Sequence, residues 1–140
     1  MSNEPPDFRA TLQRFVADYR GAGERAILRA GDVFEFYSRL FTDARLSRSH
    51  RTLVNAVLAY FVVPDDLLPE EDLGPYGLLD DLFVAAHVHR LLRRSVEPAV
   101  LADAWVADAP LEEVMAEVHA ACRGALGRRT REVLRMAGLA

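Results

Sequence analysis

The apolar residues of this chain recur at three- and four-residue intervals almost from end to end, and that period belongs to helices. Phe8, Leu12, Phe15, Val16 and Tyr19 form one stripe; Val33, Phe34, Tyr37, Leu40 and Phe41 form another. Asp32, with Glu35 three residues on, reads as a capping box for the second stripe. Leu53, Val54, Val57, Leu58, Tyr60 and Phe61 make a third. It must stop at Pro64, because the residue before a proline is pushed out of the helical region. Helical spacing resumes from about Leu78 to Arg94 with little polar surface, which predicts a helix at the middle of a bundle or at a subunit interface. Pro98 and Pro110 bracket a short segment around Leu101–Trp105. Asp108 and Pro110 then open a helix with Leu111, Val114, Met115, Val118 and Cys122 on one side, and an arginine-rich tail helix follows. No stretch alternates as a strand does. The prediction is an all-α fold: a compact bundle of about six to seven helices around a central helix–acidic loop–helix hairpin at about residues 53–94. Its 140 residues fit one domain spanning 1–140.

Charge and residue usage exclude several chemistries. A net charge of −4 gives no global positive field, and no aromatic–basic platform stands out, so no nucleic-acid partner is expected. All 17 basic residues are arginine, which removes a lysine nucleophile, a Schiff base and a Walker-type phosphate lysine. The single cysteine, Cys122, allows no internal disulfide and no multi-cysteine zinc site; its place on an apolar stripe predicts a buried, inert thiol. Residues 1–7 are acidic and proline-broken, without the basic-then-apolar pattern of a signal peptide, so a cytoplasmic chain is expected. The apolar run Leu53–Val63 falls well short of the ~20 residues a spanning helix needs.

The unusual part is residues 64–81, which hold seven of the 21 acids (Asp65, Asp66, Glu70, Glu71, Asp72, Asp80, Asp81) and no arginine. An aromatic-ended helix leads into Pro64-Asp-Asp66-Leu-Leu-Pro69-Glu70, and a short linker leads to Gly77-Leu-Leu-Asp80-Asp81. This pattern, over about residues 53–92, resembles the YkvA-like family, a widespread bacterial domain of unknown function. That family reads Pro-x-Asp-Leu-Ile-Pro-Asp, then Gly-x-x-Asp-Asp. Here Glu70 stands where the family has aspartate, and the linker Glu71–Tyr76 is about one residue longer. The resemblance implies no established reaction.

Three readings of these carboxylates stand side by side. In the first they are architecture: Pro64 and Pro69 stiffen the turn, Asp66 caps it, Gly77 frees the chain, and Asp80 and Asp81 sit on the favourable end of a helix dipole. In the second, Asp66, Glu70, Asp80 and Asp81 converge on a divalent cation, with His87 nearly two turns after Asp80. In the third, paired carboxylates do acid–base work. His87 and His89 are expected as hydrogen-bonded core or boundary histidines. Arg45, Arg48 and Arg51 form a basic ridge, and Arg123, Arg128, Arg129, Arg131 and Arg135 a basic C-terminus. Each is a solvated face, a surface for anionic lipid, or a partner for the acidic segment.

The resulting expectation is a non-catalytic helical interaction module, a complex-assembly or peripheral membrane factor without a cofactor. Its partner is a protein or a second copy of the chain, with an anionic membrane as a further surface. A divalent-metal protein or metal-dependent enzyme is the alternative.

Overall fold

A computed structural model describes residues 8–62 and 77–139, and every regular element among them is helical. The helices are α1 (Phe8–Val16), α2 (Glu24–Ile27), α3 (Ala30–Phe41), α4 (Arg48–Val62), α5 (Leu79–Leu92), α6 (Pro98–Ala104), α7 (Leu111–Leu126) and α8 (Thr130–Met136). A 3-10 turn, Gly127–Arg129, joins the last two. Seven of these helices are seven residues or longer and α2 is a single turn, which is the all-α bundle the apolar period predicts.

α5 is the centre. Of its 14 residues, 11 are buried, and it packs chiefly on α7 and α4, with α8, α2 and α3 around it. A helix apolar on every side has no face to give to water, so it must be enclosed. Leu79, Leu82 and Leu92 are wholly buried, each contributing on the order of 1.5–3 kcal/mol. The Tyr37 hydroxyl of α3 donates to the Ala85 carbonyl of α5 at 2.5 Å, a polar link through an apolar layer.

Two glycines let helices approach closely. A Cβ on Gly31 would lie 2.7 Å from Gln13 Cγ and 3.0 Å from the Arg9 carbonyl oxygen, so α3 meets α1 through a bare backbone. Gly23 precedes α2 at φ +70°, and a Cβ there would stand 2.5 Å from Leu79 Cδ2 of α5.

Two sequence expectations change. Asp32 and Glu35 do not form a capping box: α3 starts at Ala30, with no side-chain cap at Arg29. Asp32 instead accepts from Arg9 at 2.7 Å and from Arg29 at 3.1 Å, and Glu35 accepts from Arg39 at 2.9 Å. With the helix starting at Ala30, Asp32 lies inside its first turn rather than at the cap position, and its carboxylate is taken by charge-assisted bonds to the arginines. Phe15 also leaves its stripe and is 44% exposed. The main neighbour of α1 is α3, and one neighbouring helix covers only the narrow line of Leu12 and Val16.

Candidate functional site

The hairpin's described parts are α4, the buried turn Gly77–Leu78 and α5. Asp80 and Asp81 occupy the first turn of α5, where the helix dipole favours negative charge, and both are 0% exposed. Tyr60 on α4 donates its hydroxyl to Asp80 Oδ2 at 3.3 Å. The Asp81 backbone N–H donates to Asp80 Oδ1 at 3.0 Å, so both oxygens of Asp80 are engaged. A buried carboxylate persists only when it is hydrogen-bonded or paired, and this one joins the two arms of the hairpin. Cys122 of α7 lies close by; burial, with the Asp80 charge as a second cause, pushes its thiol up to about 12. It is the inert thiol its stripe predicts.

Pro64, Asp66, Pro69 and Glu70 lie outside the described residues. His87 is half-buried on α5, held below the ordinary imidazole range by burial and then by Arg90. Among the described residues no three His, Cys, Asp or Glu side chains gather into a metal-binding group, so Asp80, Asp81 and His87 do not by themselves make one.

The basic clusters have different fates. Arg51 turns inward and donates to the carbonyls of Phe41, Asp43 and Leu46, tying down the segment between α3 and α4. Arg45 pairs with Asp43 at 2.7 Å and Asp103 at 3.0 Å, and its hydrogen bonds hold the Asp43 carboxyl down at about 2. Only Arg48 of that ridge is exposed without such a bond among the described residues. Arg128, Arg129, Arg131 and Arg135 are all exposed, with Met136 beside them. His50 bridges two segments, its Nδ1 at 2.8 Å from Ser47 Oγ and its Nε2 at 2.8 Å from Ser95 Oγ.

A second constellation lies between α5 and α7, in a cleft of about 320 Å³. α5 contributes His89, Arg90 and Arg93; α7 contributes Glu112, His119 and Arg123. Arg93 Nη1 pairs with Glu112 Oε2 at 3.4 Å. Arg90 Nη1 lies 3.2 Å from His119 Nε2. A guanidinium can only donate, so His119 accepts at Nε2 and carries its proton on Nδ1. His89 is buried as expected, yet its Nε2 has no hydrogen-bond partner; the nearest carboxylate oxygen, Glu112 Oε1, stands at 3.9 Å. The expectation of a hydrogen-bonded core histidine therefore fails at this nitrogen. Burial holds His89 below the ordinary imidazole range, with Glu112 opposing and Arg93 reinforcing the shift. Burial, then Arg90, Arg123 and His87, does the same to His119.

Residues 50–86 match the model of the family described as "Protein of unknown function (DUF1232)". The resemblance read from the Pro-Asp and Asp-Asp elements stands, since a domain of unknown function covers that stretch. Over 124 residues the chain is 27% identical to "Uncharacterized protein ORF9" of Methanothermobacter thermautotrophicus, covering 89% of this chain and 85% of that one. No solved structure matches. The DUF1232 match takes in α4 from His50, Asp80 and Asp81, and it stops short of His89 and all of α7. The cleft therefore belongs to what surrounds the DUF1232 segment. Sequence reading missed it because its six polar residues sit on two helices, at positions 89–93 and 112–123. The available signal was the spacing of Glu112, His119 and Arg123, seven and then four apart, which sets them along one face of α7.

Proposed function

We propose that the chain is a non-catalytic helical interaction module in which the DUF1232 hairpin presents an acidic segment to a basic partner. The observation that supports this most is the complete burial of Asp80 and Asp81, with Asp80 bonded to Tyr60 of the opposite arm. On this reading Asp80 pins the base of the hairpin with Asp81 buried beside it, and the other five acids (Asp65, Asp66, Glu70, Glu71, Asp72) belong to the sequence between its arms. Five carboxylates in a stretch of sequence that holds no arginine would attract arginine-rich surfaces through a field that salt screens. The partner is a protein or a second copy of this chain, whose exposed Arg128, Arg129, Arg131 and Arg135 offer the matching charge. The same arginines, with Met136, suit a peripheral contact with anionic lipid in the cytoplasm.

The test is calorimetric titration of the whole protein with an octa-arginine peptide, at low and high salt. It is run beside a variant carrying Asp65→Asn, Glu71→Gln and Asp72→Asn together. Binding that weakens with salt and is about tenfold weaker in the variant is the expected result. Equal binding by both proteins, or none by either, would overturn the reading. Co-sedimentation with phosphatidylglycerol vesicles tests the lipid contact separately.

One observation favours the metal alternative: Asp80 and Asp81 are adjacent, and both are fully buried. A divalent cation beside them, with Asp66 and Glu70 as further ligands, would offset two charges in one small volume. His87 would complete that set only for a softer cation.

A further inference from the structure

The cleft between α5 and α7 plays no part in the hairpin reading, yet its polar groups are poorly matched to one another. Three guanidiniums, those of Arg90, Arg93 and Arg123, share it with one carboxylate, Glu112. Arg93 takes that carboxylate at 3.4 Å, so among the described residues neither Arg90 nor Arg123 has an acidic partner. With neutral histidines the lining carries two net positive charges. His89 adds an independent sign. Its ring is 2% exposed, and its Nε2 is a buried polar atom with no partner, on the side of the ring facing Glu112 across the cleft. Buried polar atoms in folded proteins are almost always satisfied, so an orphaned one at the wall of a cavity calls for a ligand.

We propose that this cleft binds a phosphomonoester: Arg90 and Arg123 grip the dianion, and His89 donates to it from Nε2. Two uncompensated guanidiniums match the two charges of such a group, and the planar fork of arginine fits tetrahedral phosphate oxygens in pairs. Glu112 stays on Arg93 at the rim. His119 holds Arg90 in place by accepting from it at 3.2 Å, so His119 is a positioning residue. A volume of about 320 Å³ lies at the small end of ligand sites, which fits a phosphate with a few carbon atoms rather than a nucleotide. Burial is the first cause that holds both histidines low, with Arg93 adding to it at His89 and Arg90 and Arg123 at His119; a dianion bound beside them would favour their charged forms. The phosphate can arrive on a free small molecule or on a lipid headgroup.

The experiment uses the whole protein with three probes: inorganic phosphate, glycerol 3-phosphate, and phosphatidic acid vesicles beside phosphatidylcholine vesicles. Sodium chloride at equal ionic strength is the control. Expected is a dissociation constant of about 1 mM or tighter for at least one phosphate probe, weakened about tenfold in Arg90→Gln and in Arg123→Gln. Both substitutions fall on exposed positions, so the bundle stays folded. In the wild type, the His89 and His119 imidazole resonances shift on saturation and their titrations move up. Saturation by glycerol 3-phosphate in solution marks a free ligand. Retention on phosphatidic acid alone, lost in Arg123→Gln, marks a headgroup. No binding of any phosphate probe beyond the chloride control, or equal binding in both arginine variants, overturns the proposal.

Discussion

Tyr60 near the end of α4 and Asp80 at the start of α5 are joined hydroxyl to carboxylate at 3.3 Å, across 20 residues of sequence. The bond closes the hairpin at its base, and it gives a buried carboxylate a donor that water would otherwise supply. Tyr60→Phe keeps the ring in place and removes only the hydroxyl. It should destabilise the fold by about 1–2 kcal/mol, because Asp80 loses a charge-assisted bond while remaining buried. For a chain of this length that lowers the thermal midpoint by several degrees, with about 4 °C expected per kcal/mol. The check is a pair of melts followed by far-ultraviolet circular dichroism. Coincident melts would show that the hydroxyl does not hold Asp80.

The hairpin reading also predicts indifference to metal. Chelator-stripped protein should melt at the same temperature alone and with calcium, magnesium, manganese or zinc. A cation that bound only the folded state, at ~100 times its dissociation constant, would add ~2.7 kcal/mol. Such a rise for one ion, abolished by Asp80→Asn, would transfer the buried pair from architecture to ligation.

These two predictions rest on residues that sequence patterning did and did not reveal. The central position of α5 was legible, because Leu79 to Leu92 leaves no polar face and such a helix has to be enclosed. The run of α4 through Leu53, Val54, Val57, Tyr60 and Phe61 was legible from its apolar spacing. Asp32 was misread because a capping box is judged within four residues, while its partner Arg9 lies 23 residues away. Arg51 looked like part of a surface ridge, yet its donors go to three main-chain carbonyls. Periodicity says which side of a helix is apolar; it does not say which long polar side chain folds back onto the backbone. The cleft was invisible for the same reason, since pairing α5 with α7 is a tertiary fact.

Stability should fall on mild acidification. Burial is the first cause in each of His87, His89 and His119, and all three are held below the ordinary value of 6.5. The unfolded chain therefore takes up protons first. The contribution of these groups is fully present above pH 6.5 and is lost as pH falls below it toward the folded-state values. Asp43 and Asp108 are lowered from 3.8, so they titrate below that window. The thermal midpoint should be level from about pH 7 to 8 and decline from about pH 6.5 to 5. His119→Gln, which keeps an acceptor for Arg90, should flatten part of that decline. A midpoint that climbs on acidification would contradict the direction of all three shifts.

Cys122 offers a chemical measure of how tightly α5 and α7 stay closed. It is fully buried on α7, and burial together with the Asp80 charge raises its thiol to about 12. At pH 8 a thiol with that value is ionised in about one molecule in ten thousand, and the thiolate is the attacking species. A disulfide reagent therefore gains almost nothing from the native state and has to wait for an opening. In native buffer the thiol should react orders of magnitude more slowly than in denaturant, and the rate should level off as reagent is raised. At reagent concentrations below that plateau, Tyr60→Phe should speed labelling in proportion to the stability it removes, about fivefold per kcal/mol. Rapid labelling proportional to reagent in the wild type would mean that α7 exposes Cys122 without unfolding, and that the α5–α7 contact is looser than its packing implies.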